Sequence, residues 1–222
     1  MPAIDVHVLH LADLQFPAWH PNAGQKGLVN GFLVVTPEGP LLVDSGIGPP
    51  HPLIDEMYRP DRYDLDEALK STDTGISRRD IVAIANSHLH FDHCGGNQLF
   101  PGTPIYTQSL EYRSAQEANY TIPEWINFPD ANYELVEGRV EVCAGVTLLP
   151  TPGHSPGHQS VILDTDEGRV VLGGQVAEAI SELSETPEES SQSLRTLLDL
   201  DPQRIYLGHD ETVWTSQSTE TR

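Results

Sequence analysis

Ser87-His88-Leu89-His90-Phe91-Asp92-His93-Cys94-Gly95-Gly96 places three histidines and an aspartate within residues 88–93. The run before it, Ile81-Val82-Ala83-Ile84-Ala85, is continuously apolar and reads as a buried strand. If the chain stays extended through His90, His88 and His90 point the same way, because side chains alternate across a strand. A turn after His90 then brings Asp92 and His93 to a second position nearby, and Gly95 and Gly96 let the backbone pass close by. Imidazole nitrogens with a carboxylate oxygen suit zinc, iron, manganese or cobalt, and such a set leaves room for water. A histidine-rich surface loop is the competing reading. H-x-H-x-D-H directly after a buried strand is too dense a pattern for that.

The bulk numbers bound what surrounds this stretch. A chain of 222 residues with 38% hydrophobic content can bury one large domain or two tightly joined halves. No run approaches the ~20 apolar residues of a membrane span, and the start, Met1 to His7, lacks the pattern of a signal peptide. Cys94 and Cys143 stand alone in sequence, which suits a reducing cytoplasm and no disulfide framework. The net charge is −21, from 33 acids and 12 bases, so the surface repels phosphate backbones and anionic membranes. Nucleic acid and membrane are therefore not expected partners; oligomeric state is not legible.

Taken in order, Val6–Leu9 reads as a first strand and residues 11–30 as a long loop with an aromatic tip at Trp19. Two strands, Gly31–Val35 and Leu41–Asp44, flank Pro37-Glu38-Gly39-Pro40 as a hairpin. Leu65–Lys70 reads as a short helix, and Ser77–Asp80 as a near capping box. A strand at Pro104–Thr107 leads to a helix capped by Ser109 and running to about Ala118. Further strands fall at Val146–Leu149, Ser160–Leu163, Val170–Leu172 and Arg204–Leu207. A helix starts at Thr186-Pro187-Glu188-Glu189 and runs to about Leu198, and the tail after Asp210 is expected to fray. Strands and helices alternate in both halves. The expected fold is a single α/β domain over 1–222, of two similar lobes, about 1–130 and 131–222.

Five of the ten histidines, His88, His90, His93, His154 and His209, sit just after expected strands. Loops at strand ends converge on sites in α/β folds, which nominates His154 and His209 as further ligands. His158, in the same loop as His154, is read as a brace. His7, His10, His20 and His51 lack such a context and are expected to be structural or exposed.

These motifs resemble those of the metallo-β-lactamase-fold hydrolases over most of the chain. Val43-Asp44-Ser45-Gly46 is similar to the first motif of that superfamily, His88-x-His90-x-Asp92-His93 to the second, His154 to the third and His209 to the last. The resemblance implies an αββα sandwich with metals at one edge between the sheets. It implies one ion at His88, His90 and His154, a second at Asp92, His93 and His209, and Asp44 holding the motif loop from behind. Within the superfamily, the chain looks most like the quorum-quenching N-acyl-homoserine lactonases. The phrases 87–93, Thr151-Pro152-Gly153-His154-Ser155-Pro156-Gly157-His158-Gln159-Ser160, Gly208-His209-Asp210 and Glu111-Tyr112 carry that likeness.

Two positions depart from the pattern. The superfamily places a metal-bridging aspartate where this chain has Gln175, and the lactonases commonly carry a substrate-touching tyrosine where it has Glu178. Two divalent ions, Asp92, a bridging carboxylate and one hydroxide sum to +1; with a neutral Gln175 the sum is +2. Ions roughly 3.5–4 Å apart are then poorly compensated, so the second is expected to bind weakly, if at all.

The resemblance implies attack of a metal-bound hydroxide on a lactone or small ester, with Asp92 orienting the water and passing its proton to the leaving oxygen. Zinc is the expected metal, with iron, manganese or cobalt as alternatives. Trp19, Trp125 and Phe128, with Phe91 and Glu178, are assigned to a substrate pocket beside the metals. A thioester hydrolase of the hydroxyacylglutathione hydrolase type stays open as an alternative, as does a non-catalytic metal-binding member of the fold. Metal content together with turnover of a generic ester separates the enzyme readings from the binding protein.

Overall fold

Alternation of apolar side chains across the central strands decides how the layers stack. The computed structural model describes residues 3–20, 22–184 and 191–216. The first sheet is built from β1 (Asp5–Gln15), β2 (Lys26–Thr36), β3 (Gly39–Val43), β4 (Asp61–Arg62), β5 (Ala83–Ala85), β6 (Pro104–Gln108) and β7 (Asn132–Val136). Its spatial order is β4-β1-β2-β3-β5-β6-β7, antiparallel up to β3 and parallel from β3 to β7. The second sheet contains β8 (Val140–Cys143), β9 (Val146–Pro150), β10 (Gln159–Thr165), β11 (Gly168–Leu172), β12 (Arg204–Tyr206) and β13 (Trp214–Thr215). Its order is β13-β12-β11-β10-β9-β8, antiparallel except for the β11–β12 pair.

Phe32, Val34, Leu41, Val43, Ala83 and Ala85 of the first sheet meet Val146, Leu148, Val161, Leu163, Val170 and Leu172 of the second in one buried cluster. Their sequence neighbours point the other way, as the two-residue period requires. Leu33, Leu42 and Ile84 pack outward under α2 (Leu65–Lys70; α1 is Pro52–Tyr58) through Leu65 and Leu69. Ile162, Val171 and Ile205 pack outward under α6 (Gln192–Leu198) through Leu194 and Leu197. Two facing sheets with helices on both outer faces make an αββα sandwich, the expected fold. The remaining helices are short: α3 (Phe91–Cys94), α4 (Ser109–Ser114) and α5 (Pro123–Ile126).

Several sequence expectations need correction. Residues 11–30 are not all loop: 11–15 and 26–30 are the paired arms of a long β1–β2 hairpin. A register shift between His10 and Ala12 breaks the alternation, so Leu9, Leu11, Ala12 and Leu14 are all buried and the strand period is disguised. The loop itself is 16–25, and it does carry Phe16 and Trp19. The Ile81 strand is shorter than expected; only 83–85 pair, and the chain leaves the sheet before His88. Ser109 does not cap α4, because its hydroxyl donates to the Val136 carbonyl and Gln108 takes the cap position. The helix start at Thr186–Glu189 lies outside the described residues; α6 is capped by Ser191, whose hydroxyl accepts from Leu194 N. The segment after Asp210 is not free through Thr215, since Trp214 is buried and β13 pairs with β12. β7 and β8, which the sequence reading does not include, are five- and four-residue edge strands with no fully buried residue, too short and too exposed to give a strong strand signal.

Candidate metal centre

The loops after β3, β5, β9, β11 and β12 leave the sheets at the same edge, and each delivers one part of the centre. After β5, Asn86, Ser87 and His88 run fully buried out of the sheet. His90 takes the N-cap position of α3 in extended geometry (φ −71°, ψ 157°), and the single turn that follows swings Asp92 and His93 round. Close backbone approach holds this turn: a Cβ on Gly95 would lie 2.1 Å from Gly48 N, and one on Gly96 2.2 Å from Ser45 O.

Two trios of donor atoms result, each set lying within 4.8 Å. In the first, His90 Nδ1 is 3.0 Å from His88 Nε2 and 2.9 Å from His154 Nε2. In the second, His93 Nε2 is 3.1 Å from His209 Nε2, which is 3.6 Å from Asp92 Oδ2. Nitrogen ligands at about 2.0–2.1 Å from a tetrahedral zinc lie roughly 3.3–3.4 Å apart. The spacing in both trios is therefore that of ligands around one small ion, and each trio leaves a fourth position open.

The residues behind the trios set the tautomers. Asp44 is fully buried and held at φ 57°, a left-handed conformation that costs a non-glycine residue energy. Its carboxylate accepts from Ser87 N (2.7 Å), Ser87 Oγ (2.7 Å) and His93 Nδ1 (2.8 Å), so His93 presents Nε2 to the second trio. His209 Nδ1 donates to the Leu28 carbonyl at 2.5 Å and likewise presents Nε2. His158 donates from Nδ1 to the Thr151 carbonyl (3.0 Å) and accepts at Nε2 from Gln175 N (3.0 Å). It thus ties the His154 loop to the Gln175 loop.

Burial, then repulsion among neighbouring imidazoles, lowers His88 well below its ordinary range and His154 to about 3. Burial is also the main cause that brings His158 to about 4. These rings are neutral at pH 7, the form that donates a lone pair. His93 differs: burial lowers it, but the Asp44 and Asp92 carboxylates outweigh burial and raise it to about 9.

Sequence reasoning passed over the role of Glu111. It is fully buried, and its carboxylate accepts from Leu89 N (2.8 Å), Ser155 Oγ (2.7 Å), Gly157 N (3.1 Å) and the Tyr120 hydroxyl. Glu111 therefore joins the His88–His90 loop to the His154 loop. A Cβ on Gly157 would lie 2.2 Å from Glu111 N, so only glycine lets the second loop come this close. Tyr120, raised far above the ordinary phenol range by burial and by Glu111, stays protonated, and its ring lies 4.8 Å from that of His90.

A cleft of about 470 Å³ opens onto both trios. His90, Asp92, His154, Gln175, Glu178 and His209 line its polar end. Leu14, Phe16, Trp19, Tyr58 and Phe91 line the rest, with His20, Asn119 and Tyr120. A larger groove beside Lys70, Asp73 and Arg78 contains none of these histidines. Of the assigned pocket residues, Trp19, Phe91 and Glu178 line the cleft. Trp125 and Phe128 do not. Trp125 is 4% exposed and packs with Ile54 and Ile122 against Gly48, because the helix turn 123–126 aims it inward. Phe128 packs on the outer-face core of the first sheet. His20, expected to be structural or exposed, stacks on Phe16 (4.2 Å), accepts from Asn22 N (3.1 Å) and lines the cleft.

The profile of the Metallo-beta-lactamase superfamily matches residues 24–209. The chain belongs to that superfamily. Among its relatives is an N-acyl homoserine lactonase of Bacillus cereus, 41% identical over 152 residues. That match covers 64% of this chain and 60% of the relative, so the chain aligns to well under the whole length of that protein. A more distant relative is the N-acyl homoserine lactonase AttM of Azorhizobium caulinodans, 26% identical over 170 residues, covering 64% of this chain and 63% of that protein. Among solved structures, an N-acyl homoserine lactone hydrolase with N-hexanoyl-L-homoserine at its catalytic metal centre superposes with TM-score 0.80 and 29% identity. That match covers 100% of this chain and 98% of the other. The dizinc lactonase AidC, at 17% identity and TM-score 0.73, shares the fold over 97% of this chain and 91% of its own.

Proposed function

We propose that this superfamily member is a metal-dependent hydrolase that opens lactones, with N-acyl-homoserine lactones as the favoured substrates. The observation that carries the reading is the pair of donor trios at the polar end of a cleft whose other wall is aromatic and aliphatic. The relatives named for lactonase activity support the substrate class. Zinc suits the nitrogen-rich donor set, held by His88, His90 and His154 and by Asp92, His93 and His209.

When bound, such an ion lowers the pKa of water to about 7 and polarises a carbonyl. The chain's own residues do the rest. Asp92, at the mouth of the second trio, orients the attacking water and carries a proton to the leaving oxygen. Asp44, His158 and Glu111 hold the ligands in place without touching substrate. Trp19, Phe16, Tyr58, Phe91 and Leu14 offer an apolar wall for an acyl chain. Among the described residues, the cleft lining includes neither lysine nor arginine.

Both sheets belong to one domain in this reading, working in a reducing cytoplasm with both cysteines free, and a surface of net charge −21 keeps nucleic acid away. The test is elemental analysis of the purified protein beside a panel of lactones, esters and thioesters. The expected result is bound zinc and turnover of acyl-homoserine lactones, both lost in His154→Ala. Turnover of thioesters alone would move the assignment to the hydroxyacylglutathione hydrolase type; metal without any turnover would make the protein a binding member of the fold.

A further inference from the structure

Among the described residues, Asp92 and Glu178 are the two carboxylates that line the cleft, and the lining contains neither lysine nor arginine. Asp92 belongs to the second trio; Glu178 belongs to neither. Yet Glu178 is set in place with care. Its Oε1 accepts from Gln175 Nε2 at 2.8 Å. Its own backbone N–H and that of Ala179 donate to Glu182 Oε1 (2.8 and 2.9 Å), and Ile180 N donates to Oδ2 of Asp210, the neighbour of His209. Three successive backbone amides are thus tied, and the turn holding Glu178 is linked to the loop holding His209.

The pairing also settles the state of Gln175. Only the NH2 end of an amide can donate to a carboxylate, so the nitrogen of Gln175 is committed to Glu178. Gln175 itself brings no charge. The two trios supply five neutral imidazoles and one carboxylate against two divalent ions.

We propose that Glu178 adds a negative charge to the centre from the cleft, beyond those of Asp92 and the buried Asp44: it compensates the ion held by Asp92, His93 and His209, and it orients Gln175 beside that ion. The inference rests on the metal-dependent reading above. It revises the expectation of a weakly held second ion, which counted residue 175 as neutral and gave Glu178 no part in the charge balance.

Metal-free protein is titrated with zinc by calorimetry as wild type, Glu178→Gln and Glu178→Asp, with thermal melts of the metal-free forms to verify folding. Wild type is expected to take two ions. Glu178→Gln keeps the size of the side chain and removes its charge. It should leave the first ion's affinity within about twofold and weaken the second about 10–100-fold, the usual effect of losing an outer partner of a metal site. Glu178→Asp keeps the charge at shorter reach and should recover part of the loss. Two ions bound as tightly by Glu178→Gln as by wild type would overturn the role of Glu178 alone, and so would a wild type that takes only one ion. A wild type that takes no ion would overturn the metal reading itself.

Discussion

Glu111→Gln separates a brace from a bystander, and its size follows from the donors around one carboxylate. Four donors meet two oxygens: Leu89 N and the Tyr120 hydroxyl on Oε1, Ser155 Oγ and Gly157 N on Oε2. The glutamine keeps the shape but replaces one oxygen with an NH2 group. The Tyr120 and Ser155 hydroxyls can rotate and accept instead; the backbone N–H groups cannot. Whichever way the amide is turned, one of Leu89 N and Gly157 N loses its acceptor in a buried place. An orphaned buried donor costs about 1–3 kcal/mol, so Glu111→Gln should destabilise the metal-free protein by about 2 kcal/mol. Glu111→Ala orphans both amides and leaves a cavity, and about 4 kcal/mol is expected. Such losses matter against the 5–15 kcal/mol typical of a whole domain. Because the same carboxylate joins the His88–His90 loop to the His154 loop, zinc affinity at the first trio should also fall, by about 10–100-fold. Urea unfolding of the metal-free forms measures the first effect and competitive zinc titration the second. A Glu111→Gln variant within about 0.5 kcal/mol of wild type, the range of ordinary surface changes, would refute the reasoning.

Three further outcomes follow from the site. Gln175→Asp should raise the affinity for the second ion while making the metal-free protein less stable, because the new carboxylate then faces Glu178 without an intervening N–H donor; calorimetry and thermal melts read the two opposite signs. Proton release should distinguish the trios. His88 and His154 lie below pH 7, so zinc enters the first trio without displacing a proton from them, whereas His93, raised to about 9, gives up about one proton when the second trio fills at pH 7. Titrations in buffers of different ionisation enthalpy measure this, and the second-trio release should vanish as the pH passes 9. Trp19→Ala should raise KM for long-chain acyl-homoserine lactones about tenfold or more, with little change for short ones, since the exposed indole contributes apolar surface only where a long chain reaches it; burying such surface is worth about 25 cal/mol per Å². Equal effects across chain length, measured by steady-state kinetics, would remove Trp19 from the acyl wall.

The ligand-bearing loops were legible because their chemistry is local. H-x-H-x-D-H packs its donors into six residues, and His154 and His209 each follow a short apolar run, so strand-end position alone nominates them. Residue patterns alone gave an α/β domain of two lobes; the αββα layering was implied by the family resemblance, because β3, β10 and β11 are continuous apolar runs buried on both faces and do not say which face meets the other sheet. What the tertiary structure decided is everything that depends on which loops meet. Glu111 reads as an ordinary helix residue until Leu89, Tyr120, Ser155 and Gly157 arrive from three other segments. Trp125 and Trp19 are both tryptophans in irregular stretches, yet one is turned into the core by a single helical turn and the other is left on the cleft wall. Gln175 in sequence is a missing charge, and only the fold brings the Glu178 carboxylate to 2.8 Å from its amide. Periodicity and spacing record what a residue does with its neighbours in the chain. Burial, charge pairing and the destination of a donor are properties of neighbours in space, and those exist only once the two sheets have closed.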